Sequence, residues 1–139
     1  MVERVLILGA IAVLVVALVV GGRVLAGRRL SRLRAADPDY LWALLRADPD
    51  GRPTVVAFST PSCAACKTAQ LSALTALKAK LGSGLRIIQV DASDRPEVAN
   101  TFGVLTVPAT VVLDRTGRVA AANQGFATAD QLALQLRLT

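Results

Sequence analysis

From Val5 to Gly22 the chain carries no charged or polar side chain. As a helix, those 18 residues reach roughly 27 Å, close to the hydrocarbon thickness of a bilayer. Val, Leu, Ile and Ala cover every face, which reads as a membrane span rather than the one-sided stripe of a surface helix. The rival reading is a cleaved signal peptide. Val24-Leu25-Ala26 offers a cleavage site of small residues, with a mature chain starting at Gly27. The apolar run is longer than such a leader needs, Arg23 interrupts the approach to the site, and Glu3 offsets Arg4. The expectation is an uncleaved transmembrane anchor over residues 1–24, with Val5–Gly22 in the bilayer.

Charge sets the orientation of that anchor. Arg23, Arg28, Arg29, Arg32 and Arg34 follow the span, and Arg4 precedes it. The positive-inside bias then places the C-terminal part in the cytoplasm, single-pass, with residues 25–36 as a basic juxtamembrane linker against anionic headgroups. The formal charge of +6 is unevenly spread: residues 1–36 hold +5 and residues 37–139 only +1. With aromatic residues at 4%, the C-terminal part offers neither a basic face nor a stacking platform, so no nucleic-acid partner is expected. The chain has no His and two Cys. That removes His-dependent catalysis, and two thiols alone do not complete a four-ligand zinc site. No metal and no cofactor are expected.

Residues 37–139 read as one domain of ordinary size. Asp37 and Pro38 suit the N-cap and first position of a short helix carrying Tyr40, Leu41, Leu44 and Leu45. Asp48-Pro49-Asp50-Gly51 is expected to end it. Trp42 is expected to pack this helix on the sheet or to lie near the membrane surface. Thr54–Phe58 is an apolar, β-branched run that predicts a buried strand. Leu71, Leu74, Leu77 and Leu81 recur at helical spacing up to Gly82. Leu85–Val90 predicts a second strand, Pro96–Phe102 a short helix, and Pro108–Leu113 a third strand. Asp114–Gly117 predicts a hairpin turn into a fourth strand from Arg118, and Thr128 caps a last helix. A strand–helix–strand unit requires a parallel pair and the hairpin adds antiparallel ones. The fold class is therefore α/β: a mixed central sheet of about four strands flanked by helices.

Between the first strand and the long helix lies Ser59-Thr60-Pro61-Ser62-Cys63-Ala64-Ala65-Cys66-Lys67. Free N–H groups and the positive end of the helix dipole stabilise a thiolate at such a junction. With i, i+3 spacing, Cys63 at the exposed helix end attacks a substrate disulfide, and Cys66, one turn deeper, resolves the mixed disulfide. The bland alternative is a static bridge or a buried thiol pair. Val107 offers its backbone N–H and C=O to an extended substrate chain, as a strand edge does.

At these residues the chain from about Thr54 to Leu138 resembles the thioredoxin-like family. Cys63-Ala64-Ala65-Cys66-Lys67 is similar to the family's Cys-x-x-Cys followed by a basic residue. Phe102-Gly103-Val104-Leu105-Thr106-Val107-Pro108-Ala109-Thr110 is similar to its proline-containing segment, with Ala109 as an extra small residue. Gly117 and Gly125 fall where the family has glycines. The resemblance implies a thioredoxin fold, a cis peptide bond before Pro108, and a Pro108 that faces the cysteines. It also implies protein-disulfide oxidoreductase activity on disulfide-containing protein substrates, with a thiol reductase or other electron donor as second partner. The sequence departs from the family at Ser62, where Trp is usual, and at Ala64-Ala65 in place of Gly-Pro. Ala57 stands where a buried Asp assists proton transfer, and the usual first strand has no counterpart before Asp37. These departures sustain a second reading, an assembly or client-binding module with little turnover.

Overall fold

The computed structural model describes residues 1–137, which divide into two units, Met1–Arg32 and the chain from Leu33 onward. Helix α1 (Val2–Ala35) supplies the whole of the first unit. It is long and apolar enough to cross a membrane, with a mean hydropathy of 3.0 over its most apolar window, none of which is buried in protein. Residues 25–36, read above as a linker, continue this helix as far as Ala35. Leu, Ala and Arg are good helix formers, and nothing stops them until Pro38 steers Asp37 into an extended conformation (φ −62°, ψ 119°).

In the second unit, helix α2 (Pro38–Leu45) starts on the expected cap, where an Asp37 carboxylate oxygen accepts the Asp39 N–H at 3.0 Å. It ends earlier than the turn at 48–51 suggested. Arg46 takes up the left-handed conformation (φ 53°), and the N–H groups of Arg46 and Ala47 close back on the carbonyls of Ala43 and Trp42. The helix buries Leu41, Trp42 and Leu45 and leaves Tyr40 exposed.

The strands are β1 (Thr54–Ser59), β2 (Arg86–Asp91), β3 (Ala109–Leu113) and β4 (Val119–Gln124). They form one sheet in the order β2-β1-β3-β4, with β1 parallel to β2 and antiparallel to β3. The β3–β4 pair is the predicted hairpin, closed by Asp114, whose carboxylate accepts the N–H groups of Thr116 and Arg118. Helix α3 (Leu71–Leu81) connects the two parallel strands, α4 (Pro96–Thr101) precedes β3, and α5 (Ala129–Arg137) follows β4. The Thr128 hydroxyl accepts the Gln131 N–H at 3.1 Å, as its capping role predicts.

Alternation along the central strand divides the core into two layers. Val55 and Ala57 join Leu74, Leu77, Leu132 and Leu136 of α3 and α5. On the opposite face Phe58 meets Phe102 at the end of α4, with ring centroids 5.7 Å apart. The Arg95 guanidinium, just before α4, donates to the Leu44 carbonyl of α2 and ties those two helices together. Trp42 is 3% exposed and packs beneath the hairpin, as one of its two expected placements required.

Candidate active site at the end of strand β1

The central strand delivers the cysteines to one end of the sheet. Phe58 of β1 pairs with Ala109 of β3. The chain therefore leaves β1 through Thr60–Cys63 at the same end at which Val107 and Pro108 enter β3. The Val107–Pro108 peptide bond is cis, as the resemblance implied. Thr60 and Val107 line one open groove of about 380 Å³ together with Pro96, Asn100 and Leu105.

Cys63 and Cys66 are joined as a disulfide, with Cα atoms 5.3 Å apart. The Cys63 N–H donates to the Thr60 carbonyl at 3.2 Å, and the helix begins immediately after it at Ala64. Cys63 thus occupies the capping position. Its sulfur accepts the backbone N–H of Cys66 at 3.1 Å, one of the donors that a helix start leaves without an intrahelical partner. The same donor suits a thiolate at Cys63. Cys63 is half-buried, whereas Cys66 is only 8% exposed. Lys67 is exposed beside them.

From Cys66 to Gln70 the helix widens into a π turn before α3 resumes. The buried stripe runs through Cys66, Gln70, Leu74 and Leu77, while Leu71 and Leu81 of the predicted stripe are 47% and 40% exposed. The wider turn carries the buried side from residue 66 to residue 70, and within α3 that side is taken by Ala73, Leu74 and Leu77. Gln70 was missed by the apolar count because it is polar. The available signal was its place four residues after Cys66, on the same helix face.

Gln70 is 3% exposed. Its Oε1 accepts the Ala127 N–H at 3.5 Å, and its Nε2 is buried with no hydrogen-bond partner among the described residues. Together with Ala57, Cys66, Gln89 and Asp91 it lines a pocket of about 290 Å³ behind the disulfide. Asp91 holds its carboxylate below the ordinary value of 3.8, because that group accepts the Ser93 hydroxyl at 2.5 Å and the Ser93 and Asp94 N–H groups. Ala57 places no ionisable group in this pocket. Among the described residues, no cluster of three or more Cys, Asp or Glu side chains comes together to hold a metal ion.

Comparison with known proteins bears on the fold. A thioredoxin-like domain model matches residues 42–138. A comparison with curated proteins found no match. Among solved structures, thioredoxin-2, described as a component of the malaria parasite protein secretion machinery, superposes with a TM-score of 0.58 at 22% identity, covering 63% of this chain and 84% of that one. A second structure, described as a malarial protein, gives a TM-score of 0.57 at 22% identity over 63% of this chain and 96% of its own. The germline-specific thioredoxin Deadhead of Drosophila melanogaster gives 0.50 at 27% identity, over 62% and 77%. The first two likenesses carry the fold alone, while the domain match extends over most of the sequence: the chain belongs to the thioredoxin-like family.

Proposed function

We propose that the protein is a membrane-tethered thiol–disulfide oxidoreductase that reduces protein disulfides through Cys63 and Cys66. The observation that carries this reading is the hydrogen bond from the Cys66 N–H to the Cys63 sulfur at the helix start. It stabilises the thiolate that must attack. Cys63, the more exposed of the two, forms a mixed disulfide with the client. Cys66 then attacks the Cys63 sulfur, the client leaves as a thiol, and the internal disulfide closes. Val107 borders the groove beside Thr60, where its backbone receives an extended client segment, and the buried Pro108 that follows fixes its approach to β3. A thiol reductase or another dithiol donor returns the pair to the reduced state. Residues 5–22 anchor the chain, and the arginines that follow hold the domain on the cytoplasmic side, where the pair rests as a dithiol.

The buried Ala57 favours the second reading, a client-binding module with little turnover, because that position of the central strand carries no carboxylate. Trapping separates the two. In the full chain, Cys66→Ser accumulates mixed disulfides with clients and Cys63→Ser does not. Equal trapping by both variants, or by neither, refutes the assigned roles.

A further inference from the structure

We infer that the outer edge of β2 binds an extended segment of another protein by strand addition, a segment with apolar residues at alternate positions followed by a carboxylate. The inference goes beyond the redox chemistry and does not depend on it.

Among the described residues β2 is an edge of the sheet and pairs with β1 alone. The N–H groups of Arg86 and Ala92 donate inward, to the carbonyls of Pro53 at 3.1 Å and Ser59 at 2.8 Å. A strand alternates, so the residues between them in the other phase turn their N–H and C=O groups outward. The ends of that outward row are occupied. The Leu85 carbonyl accepts the Lys78 ammonium, the Leu85 N–H donates to Gly82 at 3.4 Å, and the Asp91 carbonyl accepts the Arg95 N–H at 2.9 Å. Between them, the outward N–H and C=O groups of Ile87 and Gln89 have no partner among the described residues. Neither proline nor lysine interrupts Ile87–Val90, although these are the residues that usually keep a free edge from pairing.

The side chains beside this edge specify the occupant. Ile87 and Gln89 pair with Val55 and Ala57 of β1, so they share the sheet face that α3 covers. There they line an open groove of about 740 Å³ with Leu71, Thr75 and Lys78 of α3. Leu71 is 47% exposed and supplies apolar surface to it. An antiparallel segment satisfies the free groups of Ile87 and Gln89 together, and its own residues opposite those two lie over the groove. The next side chain on that face comes opposite Leu85, beside the ammonium that caps its carbonyl. Lys78 makes no ion pair among the described residues, and no Asp or Glu lines the groove. Arg52 and Arg86 at the same end already share Asp50. A carboxylate on the added segment therefore meets a cation that lacks one. Leu71, Leu74 and Gln89 also line the pocket beside Cys66, so the segment is held next to the wall of that pocket.

The test uses the full chain in detergent and a fluorescent peptide containing Val-Thr-Val-Thr-Glu, whose valines fall opposite Gln89 and Ile87 and whose glutamate falls opposite Leu85. The peptide is expected to bind with a Kd below about 1 mM. At saturation it should slow amide hydrogen exchange at Ile87 and Gln89 about tenfold. The same peptide N-methylated on both valines loses the donors that face the edge and should bind about tenfold more weakly. Gln89→Pro removes an outward N–H and no bond to β1, and should weaken binding of the unmodified peptide to the same degree. No binding at about 1 mM peptide, unchanged exchange at Ile87 and Gln89, or equal affinity for the N-methylated peptide overturns the inference. These readouts use the parent protein and stand even if Gln89→Pro does not fold. Equal binding of a peptide with lysine in place of the glutamate also overturns it. Protection of the two amides that appears without peptide and grows with protein concentration assigns the edge to a second copy of this chain, and overturns it as well.

Discussion

The indole Nε1 of Trp42 donates to the carbonyl oxygen of Gly117 at 2.9 Å, and a Cβ on Gly117 would lie 2.7 Å from that same nitrogen. One contact therefore joins the first short helix to the β3–β4 turn, 75 residues away. Gly117 also sits at φ +84°, where a side chain is strained whatever the space. Gly117→Ala should destabilise the domain by about 2–4 kcal/mol, from backbone strain and from pushing a buried indole off its acceptor. Chemical denaturation measures this directly. A loss below about 0.5 kcal/mol, the range of an ordinary surface change, would contradict it.

Arg46 presents the opposite case. Its φ of 53° is a glycine-like conformation held by an exposed arginine at the end of α2. Arg46→Gly should stabilise the protein by about 0.5–1 kcal/mol, because relief of left-handed strain exceeds the added freedom of the unfolded chain. A lower melting temperature for this variant would show that the arginine side chain contributes more than its backbone costs.

Much of this architecture was legible because it rests on local rules. The β-branched run at Thr54–Phe58 is the fully buried central strand, and the Asp37-Pro38 and Thr128 caps sit where their chemistry placed them. The cysteines were visible as a pair at a strand–helix junction. Two features were not legible. The π turn at Cys66–Gln70 is one, because no apolar period announces it. The stop of α2 at Arg46 depends on two backbone hydrogen bonds that an arginine does not signal. Gln70 was hidden for a related reason: periodicity counts apolar residues, and this core position is filled by an amide.

The turn after β2 should respond to acid. The Asp91 carboxylate is held below its ordinary 3.8, first by the Ser93 hydroxyl and then by backbone N–H groups of Ser93 and Asp94. A depressed folded-state pKa contributes stability that is complete above the ordinary carboxylate range and is lost as pH falls through the folded value. Asp91→Asn should therefore lower stability at neutral pH and flatten the acid limb of the stability profile below pH 3.8. An acid limb identical to that of the parent protein would show that Asp91 is not linked to folding.

The unit Met1–Arg32 predicts membrane association by the full chain. The protein should sediment with membranes and require detergent for release, and removal of residues 1–32 should abolish sedimentation. In intact cells, a membrane-impermeant thiol reagent should leave Cys63 unlabelled after the pair is reduced. Labelling would place the domain outside the cytoplasm, and a mature N-terminus at Gly27 would show that the span is cleaved.

The most direct measurement is turnover. The full chain in detergent, supplied with a small dithiol as electron source, is mixed with a disulfide-bonded protein, and release of the client's thiols is followed over time. Thiolate attack from a capped helix start followed by internal resolution predicts multiple turnovers at a rate well above that of the dithiol alone. It also predicts complete loss of that acceleration in Cys63→Ser. A parent protein no faster than the dithiol, or a Cys63→Ser variant as fast as the parent, would contradict the assignment of Cys63 and Cys66 as a working redox pair.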